Sequence, residues 1–130
     1  MVLKILVVDD EPDVEPLFRQ HFRREIRKNQ YEFSFALSGK EALAHLETTD
    51  SNEMVHLISD INMPEMTGIE LLELVKAKTP DLPVIMITAY GDEETRARVL
   101  EKGAEQLIPK PVDFTLLKQE LGKFADTLGS

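Results

Sequence analysis

The chain has no cysteine, few aromatic residues (6% of its 130 positions), and fewer cationic than anionic side chains. The lack of cysteine excludes disulfide bonds, thiol nucleophiles and zinc-thiolate sites. Fifteen Lys and Arg against 24 Asp and Glu give a formal charge of −9 at pH 7. So acidic a chain is a poor candidate for direct nucleic-acid binding, because a net negative charge cannot neutralise the phosphates of a nucleic acid.

Long hydrophobic runs are also lacking. The apolar start, LKILVV, is interrupted by Lys4 and followed at once by DDEPD, so it is too short for a signal-peptide core or a membrane span. Repeats, low-complexity tracts and linkers are absent too. We therefore expect a cytoplasmic location, no membrane partner, and a single domain over residues 1–130 with no output domain in this chain.

The chain does contain short apolar runs that alternate with longer amphipathic stretches. Most of the runs are continuously apolar, which is typical of strands buried on both faces, whereas the alternation in EFSFAL is typical of an edge strand. The predicted strands are Leu3–Val8, Phe33–Leu37, Val55–Ser59, Val84–Thr88 and Glu105–Ile108.

Helical periodicity fills the intervals between these runs. Ser38 predicts the N-cap of a second helix, with Glu41 at the capping-box spacing. The third and fourth helices are predicted over about residues 68–78 and 92–102, the latter ending at Gly103. The first helix has its apolar stripe at Val14, Leu17, Phe18, Phe22 and Ile26, and the last at Phe114, Leu117, Leu121, Phe124 and Leu128.

Five strands that alternate with five helices predict an α/β fold with a parallel sheet covered on both faces. Right-handed crossovers then leave few topologies. In such sheets ligands bind at the carboxyl ends of the strands, near the topological switch point. The functional residues should therefore lie directly after the strands.

Four of the five strands place a charged or hydroxyl side chain at that edge: Asp9, Asp10, Asp60, Thr88 and Lys110. Three neighbouring carboxylates repel one another, so they should bind a cation or retain a proton. Oxygen ligands in an open site suit Mg²⁺, and the backbone carbonyl of Asn62 could supply another. Each residue alone has an ordinary structural explanation, and it is their joint placement that favours a site.

A hydroxyl, an ammonium and a metal around a carboxylate predict a phosphoryl-binding pocket. A carboxylate can attack phosphorus and form an acyl phosphate, and cations and hydrogen-bond donors stabilise the transferring group. Asp60 stands alone at the central strand and is the natural nucleophile, which leaves Asp9 and Asp10 to hold the metal.

At these residues the sequence resembles the receiver domain of bacterial two-component response regulators. The matching stretches are ILVVDDEP, SDINMPEMTGIELL, PVIMITAY and IPKP, in this order between Ile5 and Pro111. The resemblance implies a doubly wound, flavodoxin-like (βα)5 sandwich with strand order 2-1-3-4-5. It also implies phosphorelay signalling, in which a sensor histidine kinase or phosphotransfer protein supplies the phosphoryl group from a phosphohistidine.

The resemblance implies roles for the acidic residues. Asp60 matches the phosphoacceptor. Asp10 matches a direct Mg²⁺ ligand, Asp9 one that acts largely through water, and Asn62 the residue whose backbone carbonyl binds the metal. Such a domain is a signalling module rather than an enzyme, although it catalyses its own phosphorylation and dephosphorylation.

The remaining roles belong to the phosphoryl pocket and the switch. Lys110 matches the phosphate-binding lysine, and the Lys110–Pro111 peptide bond is expected to be cis. Thr88 matches the switch hydroxyl, which moves to form a hydrogen bond with the phosphoryl group. Tyr90 matches the aromatic residue whose exposure changes when that hydroxyl moves. The expected readout is the face formed by the fourth helix, the fifth strand and the last helix, which would control an output domain or docking protein, or form a dimer.

Some positions depart from the family pattern. The third strand begins with MVH, so His56 takes an apolar position, and the turn before strand five reads Glu105, Gln106, Leu107 in place of two acidic residues and an aromatic. Neither change removes a residue of the expected metal site or phosphoryl pocket. Two alternatives remain open: an Asp-nucleophile phosphatase, which usually has a second aspartate at the position of Asn62, and a degenerate receiver, which would have lost an active-site residue.

The first helix is unusually basic. Between positions 19 and 28 its one acidic residue is Glu25, whereas the basic residues are Arg19, Arg23, Arg24, Arg27 and Lys28. A solvated face is one interpretation. A docking surface for an acidic partner is another, since this helix borders the expected active-site edge. Nucleic acid is a distant third, because aromatic residues do not interleave with the basic ones.

Overall fold

The computed structural model describes residues 2–48, 55–89 and 91–129, with backbone alone for 124–129. Its strands form one parallel sheet in the order β2-β1-β3-β4-β5. This confirms the predicted fold class and strand order, and makes β2 an edge strand. The strands are β1 Leu3–Val8, β2 Tyr31–Ala36, β3 Val55–Asp60, β4 Val84–Thr88 and β5 Gln106–Pro109.

The helices of the described segments are α1 Val14–His21, α2 Arg23–Arg27, α3 Gly39–Glu47, α4 Gly68–Lys78, α5 Glu93–Glu101 and α6 Phe114–Gly129. The first differs from the sequence prediction, because the backbone at Phe22 (φ −106°, ψ 14°) divides it into α1 and α2. The N–H groups of Phe22 and Ile26 still donate to the carbonyls of Phe18 and Phe22 at 2.9 Å. The apolar stripe therefore continues across the break. Within the described residues, every helix is too short or too polar to cross a membrane.

Short polar side chains cap several helix starts, among them those of α3 and α4. The Ser38 hydroxyl accepts from the Glu41 N–H at 3.1 Å, as predicted, and the Glu41 carboxylate accepts from the Leu37 N–H at 3.2 Å. Thr67 and Glu70 form a reciprocal capping box at the start of α4. The second box fixes the end of the loop that follows β3.

The two faces of the sheet are covered by different kinds of side chain. The layer under α1, α2 and α6 is rich in aromatics, with Phe18, Phe22 and Phe33 packed against Leu117 and Leu121. The layer under α3, α4 and α5 is aliphatic. The expected apolar positions Phe124 and Leu128 lie outside the described side chains.

His56 occupies an apolar position in β3, as the sequence indicated, and its side chain is fully buried. Its Nδ1 lies 3.3 Å from the backbone oxygen of Leu57. Burial lowers the pKa of His56 to about 4; the charge of Lys76 adds to this effect and the backbone hydrogen bond opposes it. The imidazole is therefore neutral in the folded protein at neutral pH.

Candidate functional site

Three carboxylates meet at the carboxyl-terminal edge of the sheet. Asp9 and Asp10 follow β1 and Asp60 ends β3, and each offers an oxygen within 4.8 Å of the others. Asp9 and Asp60 are buried, whereas Asp10 is exposed. Because parallel strands end at the same edge, residues fifty positions apart in the chain share this cluster. The arrangement could hold a metal ion, with Asp10 on the open side.

Lys110 reaches the cluster from the loop between β5 and α6. Its Nζ donates to Asp9 Oδ2 at 3.1 Å and lies 3.4 Å from Asp60 Oδ2. The peptide bond from Lys110 to Pro111 is cis. The Lys110 N–H donates to the Thr88 carbonyl at 2.8 Å, which ties this loop to the end of β4. One ammonium thus bridges the two buried carboxylates.

The charges in the site are only partly balanced. Burial raises the pKa of Asp60, and repulsion from Asp9 raises it further; Lys110 and the Asn62 N–H oppose this rise. Burial acts to lower the pKa of Lys110, but its hydrogen bond to Asp9 and the attraction of both carboxylates outweigh burial, so that its pKa is raised. Lys110 is therefore protonated at neutral pH, and Asp60 retains an unfavourable interaction that a further cation would relieve.

The loop after Asp60 is fixed by a close approach of backbone to backbone. The Gly68 N–H donates to the Ile61 carbonyl at 2.8 Å, which closes the loop onto the end of β3. A Cβ at Gly68 would lie 2.8 Å from Ile61 Cα and nearer still to the carbonyl oxygen of Asp60. Only glycine fits here, and this explains why a glycine follows the aspartate at this distance in SDINMPEMTG.

Thr88 ends β4 and is buried. The Asn62 side-chain amide donates to its hydroxyl oxygen across 3.4 Å, and this contact links the ends of β3 and β4. From the sequence we predicted a role only for the backbone carbonyl of Asn62, because the direction of an exposed amide side chain leaves no pattern in the sequence. Tyr90, the expected partner of Thr88 in switching, lies outside the described residues.

An apolar cavity of about 140 Å³ adjoins the carboxylates on the side of α1. Its walls include Leu17, Ile58 and Val112, and Asp60 and Lys110 contribute to its lining. Apolar walls beside a carboxylate limit its hydration, which is the physical origin of the raised pKa of Asp60.

Comparison with known proteins gives consistent matches along most of the chain. Residues 5–122 match the response regulator receiver domain family. The response regulator MprA of Mycolicibacterium vanbaalenii is 35% identical over 111 residues, which cover 85% of this chain and 45% of MprA. The chain thus spans less than half the length of this relative.

Solved structures agree with the sequence matches. A response regulator receiver domain protein from Clostridium thermocellum superposes with a TM-score of 0.82 at 27% identity, over 98% of this chain and 99% of that one. The response regulator TrrA of Thermotoga maritima, solved in complex with Mg²⁺-BeF, gives a TM-score of 0.75 at 30% identity, over 93% and 97% of the two chains. The chain belongs to the receiver domains of two-component response regulators, the family of phosphorelay signalling.

Proposed function

We propose that this domain accepts a phosphoryl group on Asp60 from the phosphohistidine of a sensor histidine kinase or phosphotransfer protein, and that it does so in the cytoplasm. The observation that carries the proposal is the position of Lys110, whose ammonium contacts Asp9 and Asp60 at 3.1 and 3.4 Å beside the open carboxylate of Asp10. An ammonium group and three carboxylates thus lie together at one edge of the sheet, as phosphoryl transfer to Asp60 with a bound metal would require.

The donor set fits Mg²⁺. All candidate ligands are oxygens, and one of the three carboxylates is solvent-exposed. Burial raises the pKa of Asp60 and the charge of Asp9 raises it further, so a bound cation would favour the ionised carboxylate. Asp10, Asp60 and the backbone carbonyl of Asn62 would hold the ion directly and Asp9 through water. The bound ion would neutralise charge on the oxygens of the transferring phosphoryl group.

In the transfer step, an Asp60 carboxylate oxygen attacks phosphorus and forms a P–O bond. The P–N bond of the phosphohistidine breaks, and its electron pair returns to the imidazole of the donor protein. Lys110 and the Thr88 hydroxyl would bind the phosphoryl oxygens, where negative charge is concentrated. Hydrolysis of the acyl phosphate by water then restores Asp60 and releases phosphate.

The Asn62–Thr88 contact offers a route from the phosphoryl group to the rest of the domain. An aspartyl phosphate brings about two negative charges and three acceptor oxygens. If the Thr88 hydroxyl turns to donate to them, it leaves the Asn62 amide, and the end of β4 moves relative to α5. A bias of about 3 kcal/mol would shift such a two-state equilibrium about 150-fold. The readout would be the face of α5, β5 and α6, acting on an output domain, a docking protein or a second copy, with Tyr90 following Thr88.

Intact-mass measurement tests the acceptor role. In Mg²⁺ and a small phosphodonor, the parent chain should gain one phosphoryl group, which is lost on treatment with hydroxylamine, as expected of an acyl phosphate. Asp60→Asn and the parent in EDTA should gain none. Asp81→Asn, at an exposed position before β4, is the matched control and should behave as the parent does. Phosphoryl uptake by Asp60→Asn would contradict the proposal, and rapid multiple-turnover hydrolysis of phosphomonoesters would favour the phosphatase alternative.

A further inference from the structure

The β3–α4 loop, residues 61–67, is held in a strained conformation. The Met66 N–H donates to the Pro64 carbonyl at 2.8 Å, and the residue between them, Glu65, has φ 68°. A three-residue turn whose central residue has a positive φ is the rare, strained form of the γ-turn, and a residue other than glycine adds to its cost. Contacts elsewhere must therefore hold the loop in this shape.

The Met66 side chain supplies one of these contacts. A Cβ built on Gly39, the first residue of α3, would lie 2.5 Å from Met66 Sδ and 3.1 Å from its Cγ. The thioether thus packs directly on the glycine, and the side chain also packs against the aliphatic layer of the core. Together with the hydrogen bond from Gly68 to Ile61, this contact constrains the loop that carries Asn62.

Met66 is also open to an oxidant. Of the three methionines in the described part of the chain, Met63 and Met86 are buried, whereas Met66 is partly exposed. Because the chain has no cysteine, methionine sulfur is its most readily oxidised group. An oxygen added to Met66 Sδ would make the side chain larger and polar at the point where it packs on Gly39.

We propose that Met66 is a site of reversible oxidation, at which a peroxide forms methionine sulfoxide and releases the β3–α4 loop. With hydrogen peroxide, the sulfur attacks one oxygen, so that an S–O bond forms and the O–O bond breaks. The sulfur is oxidised by two electrons and the peroxide is reduced by two. The proton on the transferred oxygen passes to the departing hydroxide, which leaves as water. Methionine sulfoxide reductase restores the thioether.

Release of the loop would impair the acidic site. A polar sulfoxide disfavours the apolar contact with Gly39, and once that contact is lost the strain at Glu65 favours another loop conformation. The loop joins Asp60 to α4 and carries the Asn62 carbonyl, the proposed metal ligand. This step rests on the proposed function: oxidation of Met66 should weaken Mg²⁺ binding and slow phosphoryl uptake.

Peptide mapping, amide hydrogen exchange and the intact-mass assay test the inference on the full chain treated with hydrogen peroxide. Met66 should gain one oxygen before Met63 does, and amide exchange in the β3–α4 loop should become faster. At low Mg²⁺, phosphoryl uptake should slow at least about tenfold, as is typical when the support of a metal ligand is lost. Excess Mg²⁺ should restore part of the rate, and methionine sulfoxide reductases A and B should reverse the oxidation and both of its effects.

Three variants assign these effects to Met66. Met66→Leu keeps the volume but forms no sulfoxide, so it should take up phosphoryl as the reduced parent does, and peroxide should change neither its uptake nor its exchange. Met66→Gln places a polar group at the same point and should show the slow uptake without peroxide. Met63→Leu, at a buried position, is the matched control and should stay as sensitive to peroxide as the parent is.

The inference is overturned if peroxide slows uptake by Met66→Leu, or if protein fully oxidised at Met66 shows parental exchange and uptake. Preferential oxidation of Met63 would overturn it as well. If the reduced parent takes up no phosphoryl group, the acceptor role fails, and exchange in the β3–α4 loop decides the inference by itself. Faster exchange after peroxide in the parent but not in Met66→Leu then supports the inference, and equal exchange overturns it.

Discussion

Gly68→Ala is expected to destabilise the fold by about 3 kcal/mol and to abolish phosphoryl uptake at Asp60, although it adds only one methyl group. Gly68 is the first residue of α4, where helix propensity alone would make alanine better by about 1 kcal/mol. The new Cβ, however, would lie 2.8 Å from Ile61 Cα and 2.9 Å from the carbonyl carbon of Asp60. Both contacts are with backbone, which cannot rotate away, so the end of β3 or the start of α4 must move.

Urea denaturation and the intact-mass assay measure the two effects of this substitution. Gly122→Ala in α6 is the matched control, because a Cβ at that position meets nothing within 4 Å. It should be neutral or stabilising by up to about 1 kcal/mol, and it should be phosphorylated as the parent is. A Gly68→Ala protein with parental stability and uptake would show that the loop does not position Asp60.

When the pH is lowered from about 7.5 to 5, the free energy of unfolding of the domain should fall by about 2 kcal/mol because of His56 alone. Burial lowers the pKa of this imidazole from 6.5 to about 4 in the folded protein. At intermediate pH the unfolded chain therefore binds a proton that the folded chain does not. The contribution is complete above the unfolded pKa and decreases as the pH falls towards 4.

Comparison of the parent with His56→Leu isolates this contribution, since leucine fills a similar volume and does not titrate. The free energy of unfolding of the variant should decline less between the two pH values, by about 2 kcal/mol. His45→Gln, at an exposed position of α3, should keep the parental dependence. Equal pH dependence in His56→Leu and the parent would mean that His56 is hydrated or protonated in the folded state.

The features that sequence predicted well are those set by local periodicity and by strand direction. Apolar runs and capping residues such as Ser38 defined the elements, and parallel strands necessarily bring Asp9, Asp60 and Lys110 to one edge. The break at Phe22 was missed, because the same apolar stripe continues on both sides of it.

Other features depend on tertiary packing and leave no local pattern. The Asn62 amide, for example, donates to Thr88 across 26 positions of sequence. The close approach of Gly68 to β3 is likewise visible only once the loop is folded back on the strand.

Crystals of the domain grown with Mg²⁺ and beryllofluoride test most directly whether side chains from separate strands form one phosphoryl-accepting site. The predicted result is beryllium bonded to an Asp60 carboxylate oxygen, with its fluorines contacted by the Lys110 ammonium and the Thr88 hydroxyl. Magnesium should lie beside it, bound by Asp10, Asp60 and the Asn62 carbonyl. Lys110 directed into solvent, with no metal at the three carboxylates and Asp60 unmodified, would contradict this arrangement.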